Sequence, residues 1–168
     1  MGLDMYLSAK KTVSEYDFAN ENGQLTKKYR PDYANLIKFF PEGVDEMADY
    51  KNIDLEVGIG YWRKVNQVHG FFVNKCAGGE DNCQSIWVDP GLLRELRVTC
   101  EFLLDEKNSP DILTKIEENL PLAEGFFFGS REIDEYYWLG LEQTIPILTK
   151  AIELAEEHEC EIYYRASW

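Results

Sequence analysis

Leu3, Met5 and Leu7 alternate with other residues in GLDMYLS, and Ile53, Leu55, Val57 and Ile59 do the same in IDLEVGIG. A two-residue period puts each set on one face of a strand, and a strand with one apolar face needs a layer to cover it. The covering layer is legible further along. Asp89 followed by Pro90 is an N-cap with proline at the first helical position, and Leu92, Leu96, Cys100 and Leu103 then fall on one helical face. Ser109 and Pro110 repeat the pairing ahead of Ile112, Leu113 and Ile116, and Pro121 ends that segment.

QSIWV and the closing EIYYRASW read as strands, and GFFFGS (125–130) as a short buried strand between glycines. A last helix is expected over 132–158, with Leu141, Ile145, Leu148, Ile152 and Ala155 along one side and Pro146 kinking or splitting it. Within 12–52, an insertion, NENG suits a turn joining TVSEYDF to QLTKKYR as a hairpin, followed by short helices at YANLIKFF and VDEMADY. Strands and helices mix without a βαβ rhythm. The expected fold class is therefore α+β, one globular domain over 1–168 with a mixed or antiparallel sheet covered by helices.

With 45% hydrophobic and 14% aromatic residues the chain is too apolar for disorder, and no apolar run approaches a membrane span. MGLDMYLSAKK carries Asp4 and lacks an apolar signal-peptide core, so the expected compartment is the cytoplasm, with Cys76, Cys83, Cys100 and Cys160 reduced. The formal charge of −14 is uneven: residues 1–100 hold 15 acids and 12 bases, residues 101–168 hold 16 acids and 5 bases. Such a field repels nucleic acid and anionic membrane and attracts basic proteins. Lys27, Lys28 and Arg30 form the one local basic cluster, a solvated surface.

The densest polar cluster is GYWRKVNQVHGFF, residues 60–72. As part of a helix over 60–76 it aligns Trp62, Asn66, His69 and Val73 in one stripe, beside Tyr61, Val65, Val68 and Phe72. His69 is the natural general base, with Asn66 to orient it or a substrate, while Arg63 and Gln67 suit a carboxylate or other anion. The same stripe can equally be a buried or dimer-forming face. In SREIDEYYW, Ser130 can cap a helix, Arg131 can meet an anion, Asp134 and Glu135 can complement the helix dipole or hold a divalent ion, and Tyr136 and Tyr137 suit a protein interface. His69, Cys76 and Cys83 are spaced by seven without a CxxC knuckle, so no metal site is assigned and no motif calls for a cofactor.

MGLDMYL at 1–7, WRKxNQxH at 62–69 and GFFFGS with DEYY at 125–137 together resemble a family of small bacteriophage and prophage proteins, over about half the chain. The resemblance implies an accessory role in the host cytoplasm and marks Trp62, Arg63, Lys64, Asn66, Gln67 and His69 with Gly125 to Ser130 as one site. The expected function is binding and inhibition or modulation of a basic host protein, such as a defence nuclease or another nucleic-acid-handling complex, with no direct contact to nucleic acid or membrane. The alternative is a small hydrolase or transferase acting on a nucleotide-like metabolite, with His69 as base and Ser130 and Arg131 receiving the anionic group. If the two marked segments form one site, the helix must pack beside GFFFGS.

Overall fold

The computed structural model describes residues 2–21, 24–46, 48–49, 51–125 and 128–168, Asn20 and Glu21 by their backbone. The elements in chain order are β1 (Asp4–Ser14), β2 (Tyr16–Glu21), β3 (Gln24–Tyr29), α1 (Pro31–Leu36) with a 3-10 turn at Ile37–Phe39, and β4 (Asn52–Arg63). They continue as α2 (Asn66–Cys76), β5 (Ile86–Val88), α3 (Pro90–Asp105), α4 (Ile112–Asn119), α5 (Glu135–Glu157) and β6 (Glu161–Ser167). The class is α+β, and the main sheet is antiparallel in the order β4-β1-β6-β5. The chain divides into two compact units, the residues up to Ala9 with Val57–Trp168, and Lys10–Glu56.

In the larger unit the alternation of β1 does what its period requires: Leu3, Met5 and Leu7 are fully buried. Against them lie Leu93, Leu96, Cys100 and Leu103 of α3 and Leu141, Leu148, Ala151 and Ile152 of α5, in one core with Ile162 and Tyr164 of β6. The first buried position of α3 is Leu93, and Leu92 is half-buried. Asp89 caps α3 by accepting from Gly91 N at 2.7 Å.

Three helical expectations shift, each for a local reason. Pro146 neither splits nor ends α5, which is continuous over 23 residues. Proline removes one backbone donor, but Pro146 is exposed, and Leu141, Thr144 and Leu148 on either side are buried in the core. The helix after Ser109 begins at Ile112 with Asp111 as its N-cap; the Ser109 hydroxyl, expected to cap, instead bonds the Asp111 carboxylate, which also pairs with Lys115 at 2.9 Å. The sequence 60–63 is strand and not helix: β4 runs to Arg63, Lys64 adopts a left-handed φ of 59°, and α2 starts only at Asn66. GFFFGS likewise is not a strand where it is described, Gly125 and Phe128 to Ser130 being irregular; Phe126 and Phe127 lie outside the described residues.

The smaller unit contains the expected hairpin, β2 and β3 pairing antiparallel from Tyr16↔Tyr29 to Glu21↔Gln24. The turn residues Asn22 and Gly23 lie outside the described residues. Its core is Val13, Tyr33 and Ile53, packed against Leu36 and Ile37, and Tyr33 donates to Asp45 Oδ2 at 2.6 Å. VDEMADY forms turns, not a helix, where it is described, with Met47 and Tyr50 outside the described residues. Leu55 and Val57 of β4, expected on the buried face with Ile53, are 41% and 57% exposed. Alternation selects a face, and burial still needs a covering layer.

Gly60 shows how closely α5 approaches β4: a Cβ there would stand 2.3 Å from Ile147 Cγ2 and 3.3 Å from Leu7 Cβ. Gly60→Ala is expected to lower stability by about 1–3 kcal/mol through overpacking, read as a lower urea midpoint. An unchanged midpoint would mean that α5 moves away at no cost.

Candidate functional site

The segment between α4 and α5 has no regular structure over its described residues, so its backbone groups need other partners. Asn66, 2% exposed at the start of α2, supplies three of them. Its Nδ2 donates to Ser130 O at 2.9 Å and Phe128 O at 3.3 Å, and its Oδ1 accepts from Ala123 N at 3.3 Å. The helix and the GFFFGS segment therefore do meet, through a side-chain clamp on a loop. Gly129 seals the contact with a φ of 108°, and a Cβ there would lie 2.9 Å from Lys64 Cβ and 3.1 Å from Lys64 O.

Neighbouring polar residues tie α5 to the same junction. Gln67 Nε2 donates to Tyr137 O at 3.1 Å, and Trp62 Nε1 donates to Thr144 Oγ1 at 2.9 Å, whose hydroxyl in turn donates to Gly140 O. Tyr137, 3% exposed, donates to Leu120 O at 2.9 Å. Asp134 caps α5, accepting from Tyr136 N at 2.9 Å and Tyr137 N at 3.2 Å, so the capping expected of Ser130 falls to Asp134. Ser130 Oγ instead accepts from Glu132 N at 3.2 Å.

Between the β4–α2 junction, this segment and α5 opens a cavity of about 1070 Å³. Of the candidates, Trp62, Arg63, Asn66, Gln67, Ser130, Asp134, Tyr136 and Tyr137 line it. His69, Arg131 and Glu135 do not, the last two being exposed. The wall from α5 includes Tyr136 and Leu139, 76% and 43% exposed.

His69 faces a second cavity of about 440 Å³ on the opposite flank of the segment, with Asp81, Ala123, Glu124, Phe128 and Trp168. It is 1% exposed and both ring nitrogens are engaged: Nδ1 lies 2.7 Å from Tyr164 Oη and Nε2 3.0 Å from Asp81 Oδ2. Since the carboxylate only accepts, the neutral ring donates from Nε2 and accepts the Tyr164 proton at Nδ1. Burial lowers the imidazole pKa from 6.5, outweighing the pull of Asp81, and burial raises the Tyr164 phenol. A histidine so placed has no nitrogen free for substrate. Burial also pushes the Cys76 and Cys100 thiols up to about 11 and about 12, away from thiolate chemistry.

Among the described residues, the only three metal-ligating side chains that converge are Glu153, Glu157 and His158, on the last turn and C-cap of α5. The spacing of His69, Cys76 and Cys83 does not gather them there. Asp81, Thr144 and Tyr164 were not singled out by the sequence: none shares a periodic stripe with its partner, and each pairing closes over 12 or more residues. No protein family, no curated protein and no solved structure matches the chain.

Asn66→Ala orphans two carbonyls and an amide and is expected to cost about 2–4 kcal/mol in stability; a loss below about 0.5 kcal/mol in urea unfolding would dismiss the clamp. His69 predicts a pH dependence. Its folded pKa lies below its unfolded value, so the unfolded chain takes up the proton first and stability is lost as pH falls from about 6.5 toward the folded pKa. Urea midpoints at pH 7.5 and 5 should differ more for the native protein than for His69→Gln; parallel midpoints would rule the effect out.

Proposed function

We propose that the protein is a non-catalytic binder of a basic protein, in the setting that the resemblance implies: a bacteriophage accessory protein in the host cytoplasm that occludes a nucleic-acid-handling complex such as a defence nuclease. The observation that carries this reading is the set of unpaired acids after residue 100. Asp105, Glu117, Glu118, Glu124, Glu132, Glu135, Glu142 and Glu159 are exposed and form no ion pair among the described residues. Uncompensated exposed charge of one sign steers an oppositely charged partner and repels nucleic acid itself.

The larger cavity supplies what charge alone lacks. Tyr136 and Leu139 on its α5 wall are the kind of apolar anchors that hold a partner once steering has brought it in, and Glu132 and Asp134 lie on the same lining. Catalysis is disfavoured by the engagement of His69 and Asn66 in holding the fold. Ser130 lines the cavity with Arg63 and Lys64, and among the described residues no imidazole or thiol joins them there.

The test is capture of host proteins on the immobilised protein at low and high salt, with Tyr136→Ala and the double reversal Glu132→Lys, Glu135→Lys as controls. A stoichiometric basic protein, released when ionic strength is raised to about 1 M and weakened by both variants, is the expected result. A complex indifferent to salt and to charge reversal would defeat the electrostatic reading.

A further inference from the structure

The smaller cavity combines aromatic rings with acids. His69, Phe128 and Trp168 line it together with Asp81 and Glu124, and among the described residues no lysine or arginine does. The aromatic rings stand steeply to one another: His69 and Phe128 at 85° with centroids 4.7 Å apart, Phe128 and Trp168 at 70° and 5.9 Å. Rings set at an angle around a small space, with carboxylates at the rim, are the arrangement that attracts an organic cation, because the ring faces are electron-rich and the acids add formal charge. Asp81 spends Oδ2 on His69, which is neutral in this arrangement, so the charge of the carboxylate is not cancelled by its partner. Glu124 is exposed and forms no ion pair among the described residues.

We propose that this cavity is a cation-binding cage that receives an arginine or lysine side chain of the protein partner, with Phe128 and Trp168 as aromatic walls and Asp81 and Glu124 as counter-charges. The proposal rests on the protein-binding reading above and deepens it, naming the side-chain class that anchors a basic partner. The cage differs from the larger cavity, whose lining includes Arg63 and Lys64 and whose charges are therefore mixed.

The experiment is a titration of the full chain and of each variant, followed by isothermal calorimetry. The probes are a blocked arginine tripeptide, its norleucine counterpart, methylguanidinium and tetramethylammonium. The arginine peptide is expected to bind and the norleucine peptide not, and Trp168→Ala, Glu124→Gln and Asp81→Asn are each expected to weaken it by about three- to thirtyfold. Trp168 is 43% exposed and Glu124 is on the surface, so these two variants test the cage without threatening the fold, and Asp81→Asn keeps an acceptor for His69.

Equal binding of the norleucine peptide, no binding of any probe, or indifference to Trp168→Ala and Glu124→Gln would overturn the proposal. Small free cations that bind while the arginine peptide does not would overturn the side-chain assignment and make this a pocket for a free organic cation. The outcome does not depend on finding the natural partner. A cage that binds arginine while no basic protein is captured would sink the occlusion reading alone.

Discussion

Asn66 is the side chain on which the larger unit's architecture turns. The segment between α4 and α5 has neither helix nor strand over its described residues, yet it packs against α2 and separates two cavities. A backbone in that situation must find hydrogen bonds or pay the desolvation of its polar groups. One carboxamide, with two donor hydrogens and an acceptor oxygen, meets three of those groups at once. Aspartate, of the same size, would offer acceptors alone when ionised and could not donate to the two carbonyls. The clamp is possible because Lys64 turns the chain through a left-handed conformation and Gly129 lets the segment approach it. Gln67 and Trp62 extend the same logic to α5.

Much of this was readable in the order of residues, and the failures share a cause. β1, the hairpin of β2 and β3, α3 and β6 follow from local signals: period two, turn residues, an Asp-Pro cap and a 3.6-residue stripe. The β4–α2 junction misled because Trp62, Asn66 and His69 have helical spacing, while the backbone is strand as far as Arg63. Spacing counts residues and is blind to a single positive φ. GFFFGS misled because an apolar run between glycines suits a buried strand, and only the long-range bonds from Asn66 reveal that it is a clamped loop. Pro146 misled in the opposite direction, since tertiary packing on both of its sides outweighs a local helix-breaking preference of about 3 kcal/mol.

The candidate residues divide along the same line. Trp62, Asn66, Gln67 and Ser130 do come together around one cavity, as a joint site requires, but the reason is structural cohesion. His69 stands on the other flank because its partners, Asp81 and Tyr164, come from the loop after α2 and from β6. Neither pairing has a local signature: one depends on how the loop after α2 folds back on the helix, the other on where the sheet places β6. Arg131 and Glu135 fall away since they flank the capped start of α5 on its exposed side.

A dense polar motif therefore carries less chemistry than its composition suggests. Each of Trp62, Asn66, Gln67 and His69 is at most 2% exposed with its hydrogen bonds directed inward, to the groups that hold the fold. The binding proposed above rests instead on groups outside the motif: the acids after residue 100 that form no ion pair among the described residues, the exposed wall of Tyr136 and Leu139, and the rings of Phe128 and Trp168. All three sets suit contact with a basic, partly apolar surface. The neutral state of His69 links the two halves of the argument. Were the imidazole charged, it would offset the Asp81 carboxylate; burial disfavours the charged ring, and the proposed cage draws on the carboxylate left uncompensated.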